Sequence, residues 1–225
     1  MQLSEETKEI LKNFQSVNNS IYFKGGSTIS TISVTNNIFA KAEINEDFPM
    51  PFAIYDLGQF LGGVSLFSNP SINFDNTSYM TIKNGRSKVK YFFADPDVIT
   101  KPPEKDIQLP EHQFSFQFTN ETLSHLMKGA RVYQLPDLCL ESEGGEVNLV
   151  VKDKENDTSN AVSYEVGQSE VPFKFNFKIE NIKIIPGTYD VEISERVARF
   201  CNNSLKLEYY IACLLYTSPS PRDFG

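Results

Sequence analysis

Residues 94–110, ADPDVITKPPEKDIQLP, set four prolines among charged side chains. Proline has no N–H to give to a helix or a central strand, so no regular element runs through such a stretch. The segment reads as a semi-rigid linker. It divides the 225 residues into halves of about a hundred, each the size of a small domain. The expected division is an N-terminal domain over 1–94, a linker over 95–110 and a C-terminal domain over 111–212.

Both halves are written in the same style. Leu3, Thr7, Ile10, Leu11 and Phe14 fall on one side of a helix that Ser4 can cap. Strand patterns follow: SIYFKG and TISTISV around Gly25-Gly26 as a hairpin, then IFAKAEI and MPFAIYD. YDLGQFLGGVSLF has helical spacing, with Asp56 as its cap and two glycines weakening it. SINF, SYMTIKN and KVKYFFA close the first half as strands. In the second half HQFSFQF alternates, and NETLSHLMKGARV is a helix with Leu123, Leu126, Met127 and Ala130 as its apolar stripe. LCLES, EVNLVVKD, AVSYEVG and PFKFNFKI read as strands. A fourth helical segment is expected over IENIKII, and a three-strand meander ends the fold. The recurrence is one of element order, not of residue identity.

The chemistry of catalysis is sparse. No nucleophile elbow, zinc-binding helix motif, Walker loop or dinucleotide fingerprint occurs, and no cofactor is expected. Neither His112 nor His125 has a second ligand at metal spacing. Gly144-Gly145 suits a hairpin turn better than a phosphate cradle. Asp95/Asp97 and Asp153/Asp157 lie in apparent loops, and no acid–base partner is specified for them. The chain is therefore not expected to be an enzyme. Three cysteines share no framework spacing, so they are expected as reduced thiols. No apolar run reaches the ~20 residues of a membrane span, and the charged, amphipathic MQLSEETKEILKNF is unlike a signal peptide. The string CLLYTSPSPRD, 213–223, reads as translated transposon-adapter sequence, so 213–225 are expected to be a non-native tail.

The cations carry more information. A net charge of −8 argues against a protein coated in nucleic acid but leaves room for a local basic surface. Lys8 and Lys12 share one face of the first helix, Lys128 and Arg131 one face of the third, and Lys183 sits in the fourth segment. These are either ordinary solvated faces or cations that both halves present to one extended polyanion. Glu5 and Glu9 beside Lys8 weaken the second reading.

Several segments, in order, resemble the sliding clamps of T4-like bacteriophages, the DNA polymerase processivity factors. They are MQLSEETKEILKNF with SVNNSIYFKGG, PFAIYDLGQFLGGVSLF, the ADP of the linker, LMKGARVYQL, FNFKIENIKIIPGTYDVEI and the late EYYIA. The resemblance spans about residues 1–212. It implies an α+β fold of two similar clamp-type domains per subunit, with outer antiparallel sheets and inner helices. Three subunits would close head-to-tail into a homotrimer around duplex DNA. Lys8, Lys12, Lys128, Arg131 and Lys183 would line the hole, Lys12, Lys128 and Arg131 matching family positions that are usually basic. Gln2 and Glu5 make the hole less basic than is common. Partners implied are the replicative DNA polymerase, the clamp loader and late-transcription factors, acting in the host-cell cytoplasm. Their apolar peptides would dock near the linker, on walls formed by Val98, Ile99, Ile107, Leu109, Tyr210 and Ile211, unless those side chains simply pin the linker to its own domains. The competing readings are an acidic β-rich phage structural or adaptor protein, and a metal-dependent hydrolase built on the scattered acids.

Overall fold

The computed structural model describes residues 1–104 and 107–215. They form two compact units. The first is Met1–Ile107 with Asn203–Tyr209, and the second is Gln108–Asn202 with Tyr210 onward. Residues 203–209 thus pack with the first unit, although their place in the chain puts them in the second half. Lys206 Nζ reaches Glu43 Oε1 at 2.8 Å and Tyr209 donates its hydroxyl to Asn13 Oδ1 at 2.7 Å.

The first unit runs α1 (Glu5–Val17), β1 (Ile21–Phe23), β2 (Gly26–Ile32), β3 (Ile38–Phe48), β4 (Phe52–Ile54), α2 (Leu57–Ser65), β5 (Ser71–Asn73), β6 (Tyr79–Asn84) and β7 (Ser87–Phe92). Helix α1 forms where its apolar period predicts. Ile10, Leu11 and Phe14 are fully buried, and Ser4 Oγ accepts the Thr7 N–H as N-cap. Asp56 caps α2 through the Gln59 N–H at 2.9 Å. The hairpin expected at Gly25-Gly26 does not form. β1 pairs instead with β4, in register Ile21↔Ile54 to Phe23↔Phe52. The two glycines, at φ +87° and +77°, redirect the chain so that β2 joins β3. Phe23, Phe48, Phe52, Phe74 and Phe93 make one aromatic cluster in this unit.

The second unit runs β8 (Phe114–Phe118), α3 (Asn120–Tyr133), β9 (Asp137–Ser142), β10 (Gly145–Lys152), β11 (Val162–Ser169), β12 (Phe173–Lys178), β13 (Tyr189–Ile193) and β14 (Val197–Asn202). β15 (Leu207–Ala212) and β16 (Leu214–Leu215) follow. The pairing in sheet order is β11-β10-β9-β12-β16, with β14-β13-β8 apart from it, and every pair between these strands is antiparallel. Thr119 caps α3. The short helical segment expected over 179–185 forms only in part, as a three-residue 3-10 turn, Ile179–Asn181. The β-branched Ile182, Ile184 and Ile185 are poor helix formers and are buried.

The segment expected to be foreign begins inside the fold. Cys213 is buried and its N–H donates to the Arg196 carbonyl at 3.0 Å. Leu214 and Leu215 pair with Asn176 and Phe175 of β12. Backbone pairing satisfies N–H and C=O groups whatever the side chain, so a strand extends readily into such residues. The rest of the expected tail, 216–225, lies outside the described residues. Cys139 is likewise buried, its thiol 3.0 Å from Asn176 Oδ1. Burial pushes the Cys139 and Cys213 thiols up to about 11 and about 12, which suits inert thiols.

One carboxylate fixes where α1 starts. Glu46 of β3 is buried and accepts the Ser4 N–H and the Thr7 hydroxyl. Burial alone would raise its pKa. The hydrogen bonds from Thr7 and Ser4 outweigh burial and hold it below the ordinary 4.5. A lowered folded value stabilises the fold above the unfolded pKa, and that stabilisation is lost as pH falls through the folded value. Glu46→Gln is expected to cost about 1.5–3 kcal/mol at neutral pH. In urea melts taken downward from pH 4.5, the variant should lose less stability than the wild type. Parallel curves would contradict the assignment.

Candidate nucleic-acid interface

Each long helix gives one face to its sheet and keeps one for solvent. On α1 the exposed residues are Glu5, Glu9, Lys12 and Ser16, a stripe of mixed sign. Lys8 is half-buried and pairs with Glu5 at 2.7 Å, so much of its charge is answered locally. Lys12 stands exposed in the same stripe. Helix α2 exposes Gln59, Gly62 and Ser65 and carries no cation.

Helix α3 is different. Leu123, Leu126 and Ala130 are buried, and Lys128 and Arg131 point away from them, exposed and without an ion pair among the described residues. Gly129 allows this seating. A Cβ there would lie 2.8 Å from Val162 Cγ2 of β11, so only glycine lets the helix approach this closely. His125 also lies exposed, three residues before Lys128 and on the same face. Its i, i+3 spacing from Lys128 is the signal that places it there, and a search for metal ligands alone does not find it.

Lys183 is not on a helix. It lies beyond the 3-10 turn, half-buried between Ile182 and Ile184, which are buried. Its N–H donates to the Asn181 carbonyl at 2.9 Å around Ile182 (φ −81°, ψ 68°), a tight turn outside any helix, and the expectation of a helical cation is corrected. Of the four acids weighed for a metal centre, three are otherwise engaged. Asp95 accepts the Asp97 N–H, Asp97 pairs with Lys101 at 3.2 Å, and Asp153 accepts the Glu155 N–H. Among the described residues no group of three His, Cys, Asp or Glu could hold a metal.

The expected peptide-pocket residues fall into different environments. Val98, Ile99 and Ile107 belong to the first unit, and Leu109, Tyr210 and Ile211 to the second. Val98 is 62% exposed, while Ile99 is buried. Ile107, Leu109 and Tyr210 are partly exposed. Ile211 is fully buried, so it is core rather than an open wall. Its strand alternates Leu207, Tyr209 and Ile211 inward, which fixes that outcome. Lys101 Nζ sits 5.5 Å from the Tyr22 ring centroid, holding the start of the linker to the first unit. A concavity of about 1600 Å³ does exist in the second unit, around Glu141, Lys152 and Lys174, but none of the six residues lines it.

Two sheet-and-helix units, one with a cationic helix face, make the architecture of a DNA-clamp subunit. The family model for DNA polymerase processivity factors matches residues 4–101, and that for the gp45 sliding clamp, C terminal, matches 115–214. The sliding clamp of Vibrio phage KVP40 is 32% identical over 94% of this chain and 98% of its own length. That of Enterobacteria phage T4 is 29% identical over 84% and 85%. In fold, the chain resembles the A. fulgidus PCNA structure bound to the C-terminal region of FEN-1, with a TM-score of 0.71 over 97% and 98% of the chains at 11% identity. The chain belongs to the sliding clamps of T4-like bacteriophages and functions as a DNA polymerase processivity factor.

Lys128 and Arg131 are surface residues, so their replacement should leave stability within about 0.5 kcal/mol. Lys128→Glu with Arg131→Glu is expected to weaken DNA association. The dependence of log K on log salt should flatten by about 0.9 for each phosphate that is no longer neutralised. Titration of a fluorescent duplex at several salt concentrations reads this directly, and an unchanged slope would remove α3 from the interface.

Proposed function

We propose that three copies of this chain close head-to-tail into a ring around duplex DNA and work without catalysis, as a mobile tether. The observation that carries this reading is one sheet edge in each unit, among the several that the sheets leave. β7 ends the β5-β6-β7 sheet of the first unit, and β11 ends the sheet of the second. Such edges, left open, invite aggregation. A heterologous contact between two different edges closes into a ring when its rotation fits a whole number of subunits.

Lys12, Lys128 and Arg131 then supply a sparse, sequence-blind attraction to phosphate, and Lys8 adds what Glu5 leaves of its charge. The remaining acidic surface keeps the outside of the ring off the duplex. Retention comes from topology, so contacts can stay weak enough to slide.

The partners we assign are the replicative DNA polymerase, the clamp loader and late-transcription factors, in the host-cell cytoplasm at replication forks. Among the described residues no helix is long and apolar enough to cross a membrane. Exposed Val98 is the best anchor for an apolar partner peptide, with Ile107 of the same unit as a further candidate. Support for peptide docking also comes from fold relatives, which include an archaeal clamp bound to FEN-1 and a Helicobacter pylori clamp bound to a DNA ligase peptide.

Sedimentation equilibrium is expected to give a mass near three times the 25.5 kDa chain. A monomer at every concentration and salt would contradict the ring.

A further inference from the structure

The β7 and β11 edges differ in charge. Residues 83–90, KNGRSKVK, hold four cations and no acid, in a protein of net charge −8. Within this hairpin Lys83 stands directly across from Lys88, and Thr81 from Lys90. Cross-strand like charges destabilise a sheet, and among the described residues no acid is paired with Lys83 or Lys88 to offset their juxtaposition. Lys88 and Lys90 are exposed, with no acid partner among the described residues, and Lys90 Nζ rests 3.9 Å from the Tyr79 ring centroid. The other edge is the reverse. Residues 162–170, VSYEVGQSE, hold two acids and no cation, and Glu165 is exposed.

The faces also match. On β7, Val89 and Tyr91 turn toward α2, where Tyr91 meets Phe60 and donates its hydroxyl to the Asp56 carbonyl, while Lys88 and Lys90 turn outward. On β11, Val162 lies against α3, and Glu165 pairs with Asn148 on the opposite, outer face. Joining the edges with the helices on one side brings Glu165 onto the same outer face as Lys88 and Lys90. The half-exposed Tyr164 then falls on the side of Val89 and Tyr91.

Resting on the ring proposed above, we infer that this charge split selects the head-to-tail joint: Lys88 and Lys90 of one copy pair with Glu165 of the next. It also selects against the alternatives. Two β7 edges would set lysine against lysine, and two β11 edges would set glutamate against glutamate. The occupant of each edge is thus the opposite edge of a second copy. Because these charges are exposed, salt weakens the joint.

The test is the native mass of the full chain as a function of salt. Wild type is expected to be trimeric at low salt and to dissociate as salt rises. Lys88→Glu with Lys90→Glu should raise the dissociation constant on the order of tenfold or more at low salt and reverse the salt trend. Glu165→Lys, on the other edge, should do the same. Combining all three substitutions in one chain should restore the trimer. Thermal melts check that each variant folds. A trimer unaffected by either set of reversals, or a combined variant that fails to recover, overturns the charge selection while leaving the ring intact. A wild type that never assembles overturns the ring itself, and this inference with it.

Discussion

The approach of α3 to β11 at Gly129 is the contact on which the proposed DNA-facing surface of the second unit depends. A helix held that close to a sheet has only one face left for solvent, and here that face carries Lys128 and Arg131. The same contact backs β11 from its inner side, so the strand that ends the sheet is held by the helix that displays the cations. In the first unit the corresponding hold is the Glu46 carboxylate at the start of α1, which fixes the helix whose stripe includes Lys12.

What is legible in the sequence is local. The stripe of α1, most of that of α3 and the caps Ser4 and Asp56 are encoded within one or two turns, and they form as read. The differences all involve distant partners. Gly25-Gly26 looks like a hairpin because the strand that claims β1 lies some thirty residues on. Residues 203–209 sit with the first unit, and no linear pattern marks that return. Glu46 is one acid among 29 until the fold brings it to Ser4 and Thr7. Ile182–Ile185 continue a helical reading in sequence, but the helical turn stops at Asn181 and a tight turn at Ile182 follows, taking Lys183 off any helix. The family resemblance is carried by collinear segments over most of the chain, which is why identity is clearer than any single site.

The acidic balance looks different once charges have places. Glu5 answers Lys8, Asp137 answers Lys178, and Glu141 answers Lys152. The cations left over are concentrated on α3, at Lys12 and along β6–β7. A protein meant to grip DNA by charge would carry many more. A sparse set suits a ring that is held in place by closure and only steered by phosphate.

That claim is tested most directly by cutting the DNA. With the protein loaded onto a nicked circular duplex by a clamp loader, retention is followed before and after a single restriction cut. Closure predicts stable retention on the intact circle and rapid loss through the free ends after linearisation. Equal retention on circle and open linear duplex would contradict it.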